Sequence, residues 1–149
     1  MAAVDADLAD GFRLYHSTDG ATYSELVDID SVGSPGNPER PEIDVSPLYS
    51  TVTKRQFRMG KSNSGMWEFK QYWNKTRWGV LKAYYDANTN VYWRAVYPDN
   101  DDVSLASKDE FRGYVKKLLS VGTLDDPDTP MISEVSIKID GDVTFTAGT

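Results

Sequence analysis

The feature that most constrains this chain lies near its C-terminal end. Val135, Ile137, Ile139, Val143 and Phe145 occupy odd positions, while Glu134, Ser136, Lys138, Asp140, Asp142, Thr144 and Thr146 occupy even ones. Successive side chains of a β-strand point to opposite faces, so this period predicts a strand of about twelve residues with one dry and one wet face. Asp140-Gly141 has the form of a hairpin turn, but the parity runs straight through it. One long strand with a local kink is therefore equally permitted.

Other segments repeat the β signal. Gly11 to His16 reads as a first short strand and Thr22 to Ile29 as a second, with Tyr23, Val27 and Ile29 on one face; Asp19-Gly20 between them predicts a hairpin. Residues 31–47 hold four of the seven prolines and read as loop. Thr51 to Arg58 is β-branched and basic with little to bury, the composition of a projecting arm or edge ribbon. Gly65 to Trp73 alternates Trp67, Phe69 and Trp73 against Glu68 and Lys70, a half-buried strand. From Asn74 the period changes. Trp78, Leu81 and Tyr85 lie three and four apart behind an Asn74 or Thr76 cap, predicting a helix that ends near Asn88. Val91 to Tyr97 reads as a central strand. Phe111 to Val121 fits two periods. Phe111, Tyr114, Val115, Leu118 and Leu119 suit a helix capped by Ser107 and Glu110, whereas Phe111, Val115, Leu119 and Val121 suit a strand; periodicity alone slightly favours helix.

Composition narrows the functional classes. The 149 residues suit one domain with a real core, given 40% apolar and 12% aromatic content. The absence of cysteine excludes disulfides, thiolate catalysis and cysteine-ligated metals. The longest apolar runs fall far short of the roughly 18 residues of a membrane span, and Met1 to Asp10 lacks the pattern of a secretory signal, pointing to use in a cytosol. Net charge is -7 but uneven. Residues 1–53 carry ten acids and two bases, residues 54–117 carry thirteen bases and seven acids, and residues 118–149 carry six acids and one base. The negative total repels a phosphate backbone, so mutual neutralisation of segments, within one copy or between copies, is favoured over nucleic-acid binding.

No catalytic constellation emerges. The single histidine, His16, lacks a Gly-x-Ser-x-Gly turn to present a nucleophile and reads as an exposed, ordinary residue. Asp99, Asp101 and Glu110 fall at calcium-loop positions, but Val103 and Ser104 stand where an oxygen ligand and a glycine are needed, so a solvated loop is expected. Asp125, Asp126 and Asp128 read as a wet turn. Ten of the eighteen aromatics fall between Trp67 and Tyr97; their inward parity assigns them to the core and away from a sugar- or base-stacking platform. The residues thus describe a soluble, mostly β domain with one helix and a basic arm.

The order of these elements and several local strings resemble the major tail protein, or tail tube protein, of long-tailed bacteriophages. The strings are Pro41-Glu42-Ile43-Asp44-Val45-Ser46-Pro47-Leu48, Arg58-Met59-Gly60, Ser64-Gly65-Met66-Trp67-Glu68-Phe69, Phe111-Arg112-Gly113-Tyr114-Val115, Asp125-Asp126 and Val135 to Phe145, covering most of residues 41–146. The resemblance implies a mainly β fold, a two-sheet β-sandwich or partly closed barrel with one flanking α-helix, in which 111–121 is a strand. It implies a single domain over 1–149, with an acidic flexible N-terminus at 1–10 and a long loop and basic arm at 31–64. It further implies a structural virion protein without enzymatic activity, cofactor or metal, forming hexameric rings that stack into a DNA-conducting tube.

The expected partners are other copies of the chain, tape-measure, tail-tip and terminator proteins, and double-stranded DNA passing through without specific binding. The expected location is the virion tail, with assembly in the host cytoplasm. Under this resemblance Lys54, Arg55, Arg58 and Lys61 make an inter-subunit arm, and Glu134, Asp140 and Asp142 are candidates for the lumen. A type VI-like secretion tube, and an unrelated carbohydrate- or nucleic-acid-binding β-sandwich, are the alternatives.

Overall fold

The alternating pattern at the C-terminal end forms one strand, Ile132–Thr146, and the ambiguous segment before it forms another, Lys108–Leu119. The computed structural model describes residues 11–46, 54–122, 124 and 126–149; the N-terminal 1–10, the stretch 47–53, Thr123 and Asp125 lie outside. Among the described residues the chain runs β1 (Arg13–Ser17), β2 (Ser24–Leu26), β3 (Ile29–Val32), β4 (Glu42–Asp44), β5 (Phe57–Met59), β6 (Met66–Tyr72), α1 (Lys75–Ala87), β7 (Asn90–Val96), β8 (Lys108–Leu119) and β9 (Ile132–Thr146). β4 and β5 pair with each other, and the rest form one antiparallel sheet in the order β2-β1-β7-β8-β9-β6-β3.

That order forces the sheet to roll. β2 and β3 occupy opposite edges, yet only Val27 and Asp28 separate them in sequence. Laid flat, seven strands would place those edges six spacings of about 4.8 Å apart, roughly 29 Å. The connection spans no more than roughly 10 Å. The sheet is therefore a nearly closed barrel whose opposing walls supply the two layers expected of a sandwich. Asp28 takes a left-handed backbone (φ 57°), which breaks the single strand expected over Thr22 to Ile29. Leu26 turns inward and Val27 outward, the reverse of the expected Val27 parity. The joint is held by its neighbours. Gln71 Nε2 donates to the Val27 carbonyl at 2.9 Å, the Tyr72 amide donates to the Asp28 carbonyl at 3.0 Å, and Arg77 pairs with the Asp28 carboxylate at 2.7 Å.

Aromatic side chains fill the barrel. Trp67 and Trp93 are fully buried, their rings 5.9 Å apart and edge to face, and Phe111 meets Trp67 at 5.1 Å. Both indole N–H groups are satisfied by carbonyls, Trp67 by Gly33 at 3.1 Å and Trp93 by Gly113 at 3.2 Å, as buried tryptophan requires.

β8 is a strand, as the family resemblance implied and against its helical period. A bulge at Lys116 explains the conflict: Val115 pairs with Ile137 and Lys117 with Ser136, so one extra residue shifts the parity. Phe111, Val115 and Leu118 consequently face the core at spacings of four and three, which imitate a helix. On β9 the Asp140-Gly141 step is a kink within one strand. Glu110 pairs with Thr144 and Arg112 with Asp140, leaving three β9 residues opposite Phe111, and Gly141 adopts φ +87°. In α1, Asn74 caps the first turn by accepting from the Thr76 and Arg77 amides, and Asn88 closes the last in the left-handed region. Its inward stripe is Trp78, Leu81 and Tyr84; Tyr85, expected inside, is exposed beneath Lys82.

His16 is not the exposed residue its sequence context suggested. It is half-buried on β1, with Nδ1 2.8 Å from the Tyr84 hydroxyl, and burial pushes its pKa below the ordinary 6.5. Since the folded state disfavours the imidazolium, His16 contributes stability above pH 6.5 that is lost as pH falls through that value. Unfolding free energy, measured by urea titration, should fall between pH 7.5 and 5.5, and His16→Gln should flatten that slope.

Two glycines give opposite expectations. A Cβ on Gly113 would sit 2.6 Å from Ile137 Cγ2 and 2.7 Å from the Lys138 carbonyl oxygen, whereas Gly79 in α1 has open space around it. Gly113→Ala should destabilise by about 1–3 kcal/mol through overpacking. Gly79→Ala should stabilise by roughly 0.5–1 kcal/mol through helix propensity. Denaturant midpoints of the two variants check both.

Candidate assembly surfaces

The proline-rich stretch and the basic arm come together as one hairpin. Glu42 pairs with Met59, Ile43 with Arg58 and Asp44 with Phe57, and further bonds join Val45 to Gln56 at 2.9 Å, Gly60 to Pro41 at 2.8 Å and Glu39 to Asn63. The loop expected over 31–47 therefore contains β4 and the end of β3. Arg55 extends to Asp44 of its own chain at 3.3 Å, a contact that is largely solvent-exposed and so worth little. Lys54, Arg58 and Lys61 are exposed on the same hairpin.

The expectation that this arm has little to bury is corrected. Ile43 is 48% exposed, Val45 42%, Phe57 51% and Met59 56%. Directly paired residues share a face, so Ile43 and Val45 lie with Gln56 and Arg58 on one side, and Phe57 and Met59 with Glu42 and Asp44 on the other. Reading residues 51–58 in isolation hid this pattern. The apolar positions alternate within each strand and become two faces only when 42–45 and 56–59 are paired.

The expected lumen residues lie on the wet face of β9, with different surroundings. Glu134 pairs with Lys70 at 3.3 Å, which offsets its charge locally. Asp140 accepts from Asn90 Nδ2 at 3.0 Å and lies opposite Arg112 in the ladder. Asp142 is near them, around a shallow hollow shared with Tyr23, Tyr92 and Glu110. Two stacked cations extend this face: the Arg94 guanidinium lies 3.8 Å from the Tyr23 ring centre and that of Arg112 lies 4.6 Å from Tyr92. Arg94 also pairs with Glu110 at 3.5 Å. Sequence reasoning missed this lattice because Tyr23 is far from Arg94, and Tyr92 from Arg112, along the chain. The face carries both signs.

The acids of the calcium-like spacing are dispersed among structural tasks. Hydrogen bonding from the Ser107 side chain, and then from its amide at 2.9 Å, holds the Asp99 carboxyl below the ordinary range, and Asp102 caps the 3-10 turn Val103–Leu105 through Ser104. Glu110 pairs with Arg94 and Lys108. Among the described residues no group of three or more His, Asp or Glu is placed to hold a metal ion, and no helix is long and apolar enough to cross a membrane.

A further surface opens beside β3. A groove of about 840 Å³ lies between Ile29–Pro35 and the Tyr97–Asp99 turn, with Phe12 and Phe145 on its walls and Asp30 and Asp99 among its lining residues.

No protein-family model and no curated protein matches the sequence. Solved structures do match, at low identity and nearly full length. A chain in the tail of an empty gene transfer agent particle, determined with C6 symmetry, aligns over 95% of this chain and 100% of its own, with TM-score 0.71 and 11% identity. A chain of the PVC extracellular contractile injection system, from its sheath/tube terminator in the extended state, aligns over 97% and 100% with TM-score 0.75 and 12% identity. The SPP1 tail tube aligns over 93% of this chain and 77% of its own with TM-score 0.61 and 13% identity. Identities this low establish shared architecture, and on that basis the chain has the tail-tube fold: a nearly closed antiparallel barrel with a projecting hairpin and one flanking helix.

Proposed function

We propose that this chain is the repeating subunit of a tail tube, closing into rings that stack around a lumen. The observation that carries the reading is the hairpin. It projects large apolar side chains into water from a barrel whose fold is shared with chains of tubular particles. Exposed apolar surface of this kind marks an interaction site. A closed ring requires a heterologous contact, in which a patch on one copy meets a different patch on the next, and stacking requires another. Lys54, Arg55, Arg58 and Lys61 supply cations to such a contact, and the acidic C-terminal part of the chain supplies complementary charge.

Hexameric closure is the symmetry this reading favours, and C6 was used for the gene transfer agent tail. Tape-measure, tail-tip and terminator proteins are the expected neighbours at the tube ends, and the virion tail is the expected location. The wet face of β9 is assigned to the lumen. There Asp140 and Asp142 discourage adhesion of passing double-stranded DNA, with Glu134 contributing less because Lys70 neutralises it. The likeness to the contractile injection system chain favours a second reading, a tube inside a contractile sheath, which differs in cargo but not in how the subunit assembles.

Concentrated purified protein should form hollow tubes in negative-stain microscopy; a strictly monomeric sample under all conditions overturns the proposal. Arg55→Glu with Arg58→Glu should abolish tubes and leave the thermal melt unchanged, and unaltered tube growth would remove the arm from the interface. Asp140→Lys with Asp142→Lys should make preformed tubes retain duplex DNA in a filter assay, the retention vanishing at high salt. Equal retention by unaltered tubes would place that face elsewhere.

A further inference from the structure

We infer that Asp140 is a site of spontaneous isoaspartate formation, the backbone of β9 rearranging through a succinimide at its bulge. Glycine follows aspartate at Asp10-Gly11, Asp19-Gly20 and Asp140-Gly141, and the last two pairs lie within the described residues. With no Cβ beside it, a glycine nitrogen is unhindered, and its backbone freedom lets it swing toward the preceding carboxyl group. The Gly141 nitrogen attacks Asp140 Cγ: the N–Cγ bond forms, the carboxyl hydroxyl and the amide proton leave as water, and a five-membered ring closes. Water then adds at the other ring carbonyl and breaks its bond to nitrogen, so the main chain now runs through Cβ and Cγ. The sum is an isomerisation that needs no oxidant, reductant or enzyme.

The fold protects one of these motifs and leaves the other open. At Asp19, Oδ1 accepts from the Thr22 amide at 3.0 Å, the Ala21 amide at 2.9 Å and the Ser17 hydroxyl at 2.8 Å. These bonds pull its pKa down to about 2, so almost none of it is in the acid form from which water departs. The Gly20 amide, which would be the nucleophile, donates to Ser17 Oγ at 3.0 Å, and the Tyr92 ring lies against the glycine. Asp140 and Gly141 are both exposed, and the Asp140 carboxylate accepts from Asn90 Nδ2 at 3.0 Å. Gly141 has no partner in either ladder of β9, takes φ +87°, and has open space where a Cβ would stand. Its carbonyl accepts from the Ser64 hydroxyl at 2.7 Å, a contact that does not engage the nitrogen. The rearranged backbone carries one more carbon, and it gains that carbon where β9 already places three residues opposite Phe111. The wet face of β9 thereby changes its carboxylate as the chain ages.

The test incubates the full-length chain at neutral pH over weeks, folded in buffer and unfolded in guanidinium. Each sample is digested, and isoaspartate is quantified peptide by peptide through methyl transfer from an isoaspartate-specific methyltransferase. In the folded chain isoaspartate should accumulate at residue 140 roughly tenfold or more faster than at residue 19. In guanidinium the two sites should accumulate it at similar rates, because the contrast belongs to the fold. Equal rates in the folded chain, or a contrast that persists in guanidinium, overturn the inference. As a second measure, folded Asp140→Asn should lose ammonia through the same ring, so that residue 140 takes the mass of aspartate and is recovered mainly as its isomer. A variant that keeps its asparagine over the same period also overturns the inference. Neither readout requires assembly, so this inference and the tail-tube reading stand or fall separately.

Discussion

The constraint on which this structure depends is the two-residue link between the edges of its main sheet. Because Val27 and Asp28 join β2 to β3, seven strands must curl until first and last meet, and the curl creates an interior wide enough for tryptophans. The turn of this link is made at Asp28, in the left-handed backbone that aspartate adopts more readily than most residues other than glycine. Its retention follows from the contacts around it: the buried amide of Gln71, the end of β6 and the guanidinium of Arg77 at the start of α1 all converge on this point. The helix is thereby tied to the closure of the barrel as well as packed against its wall.

Inside and outside obey different chemistry. The interior is apolar and aromatic, with its few polar groups satisfied, as in the Ser133 hydroxyl that donates to the Gln71 carbonyl at 3.0 Å. The wet face is a lattice of alternating charge in which arginines lie on tyrosine rings and acids face lysines across the ladder. Solvent screens such surface pairs, so they add little to stability. They leave both signs interleaved on this face. The hairpin departs from this partition by exposing what the barrel hides.

Much of the barrel was legible in the residues. The period of β9, the hairpin at Asp19-Gly20, the Asn74 cap and the inward parity of Trp67 and Phe69 all act through neighbours in sequence, and each produced the expected element. The failures have a common cause in long-range contact. At β8 a bulge registered against β9 converts a two-residue period into one that imitates a helix, and only the family resemblance resolved it. At Val27 the closure of the barrel overrides local alternation. Tyr84 replaces Tyr85 on the helix stripe because His16 and Trp93 lie beneath it. The apolar faces of the arm required pairing of segments about fifteen residues apart, and the arginine–tyrosine stacks required the pairing of β7 with β8, which sets Tyr92 opposite Arg112, and the approach of Tyr23 to Arg94.

The two bulges between β8 and β9 also lock the register of the longest strand pair. A ladder without irregularities can slip by two residues and restore its hydrogen bonds with the same faces inward. Here the extra residue at Lys116 and the three β9 residues opposite Phe111 act as a key in a slot, since any slip would drive a bulge into regular strand. β2 and β3, by contrast, share no ladder among the described residues. The open edge of the cylinder therefore lies at that seam, while its longest pair of strands is held to one register.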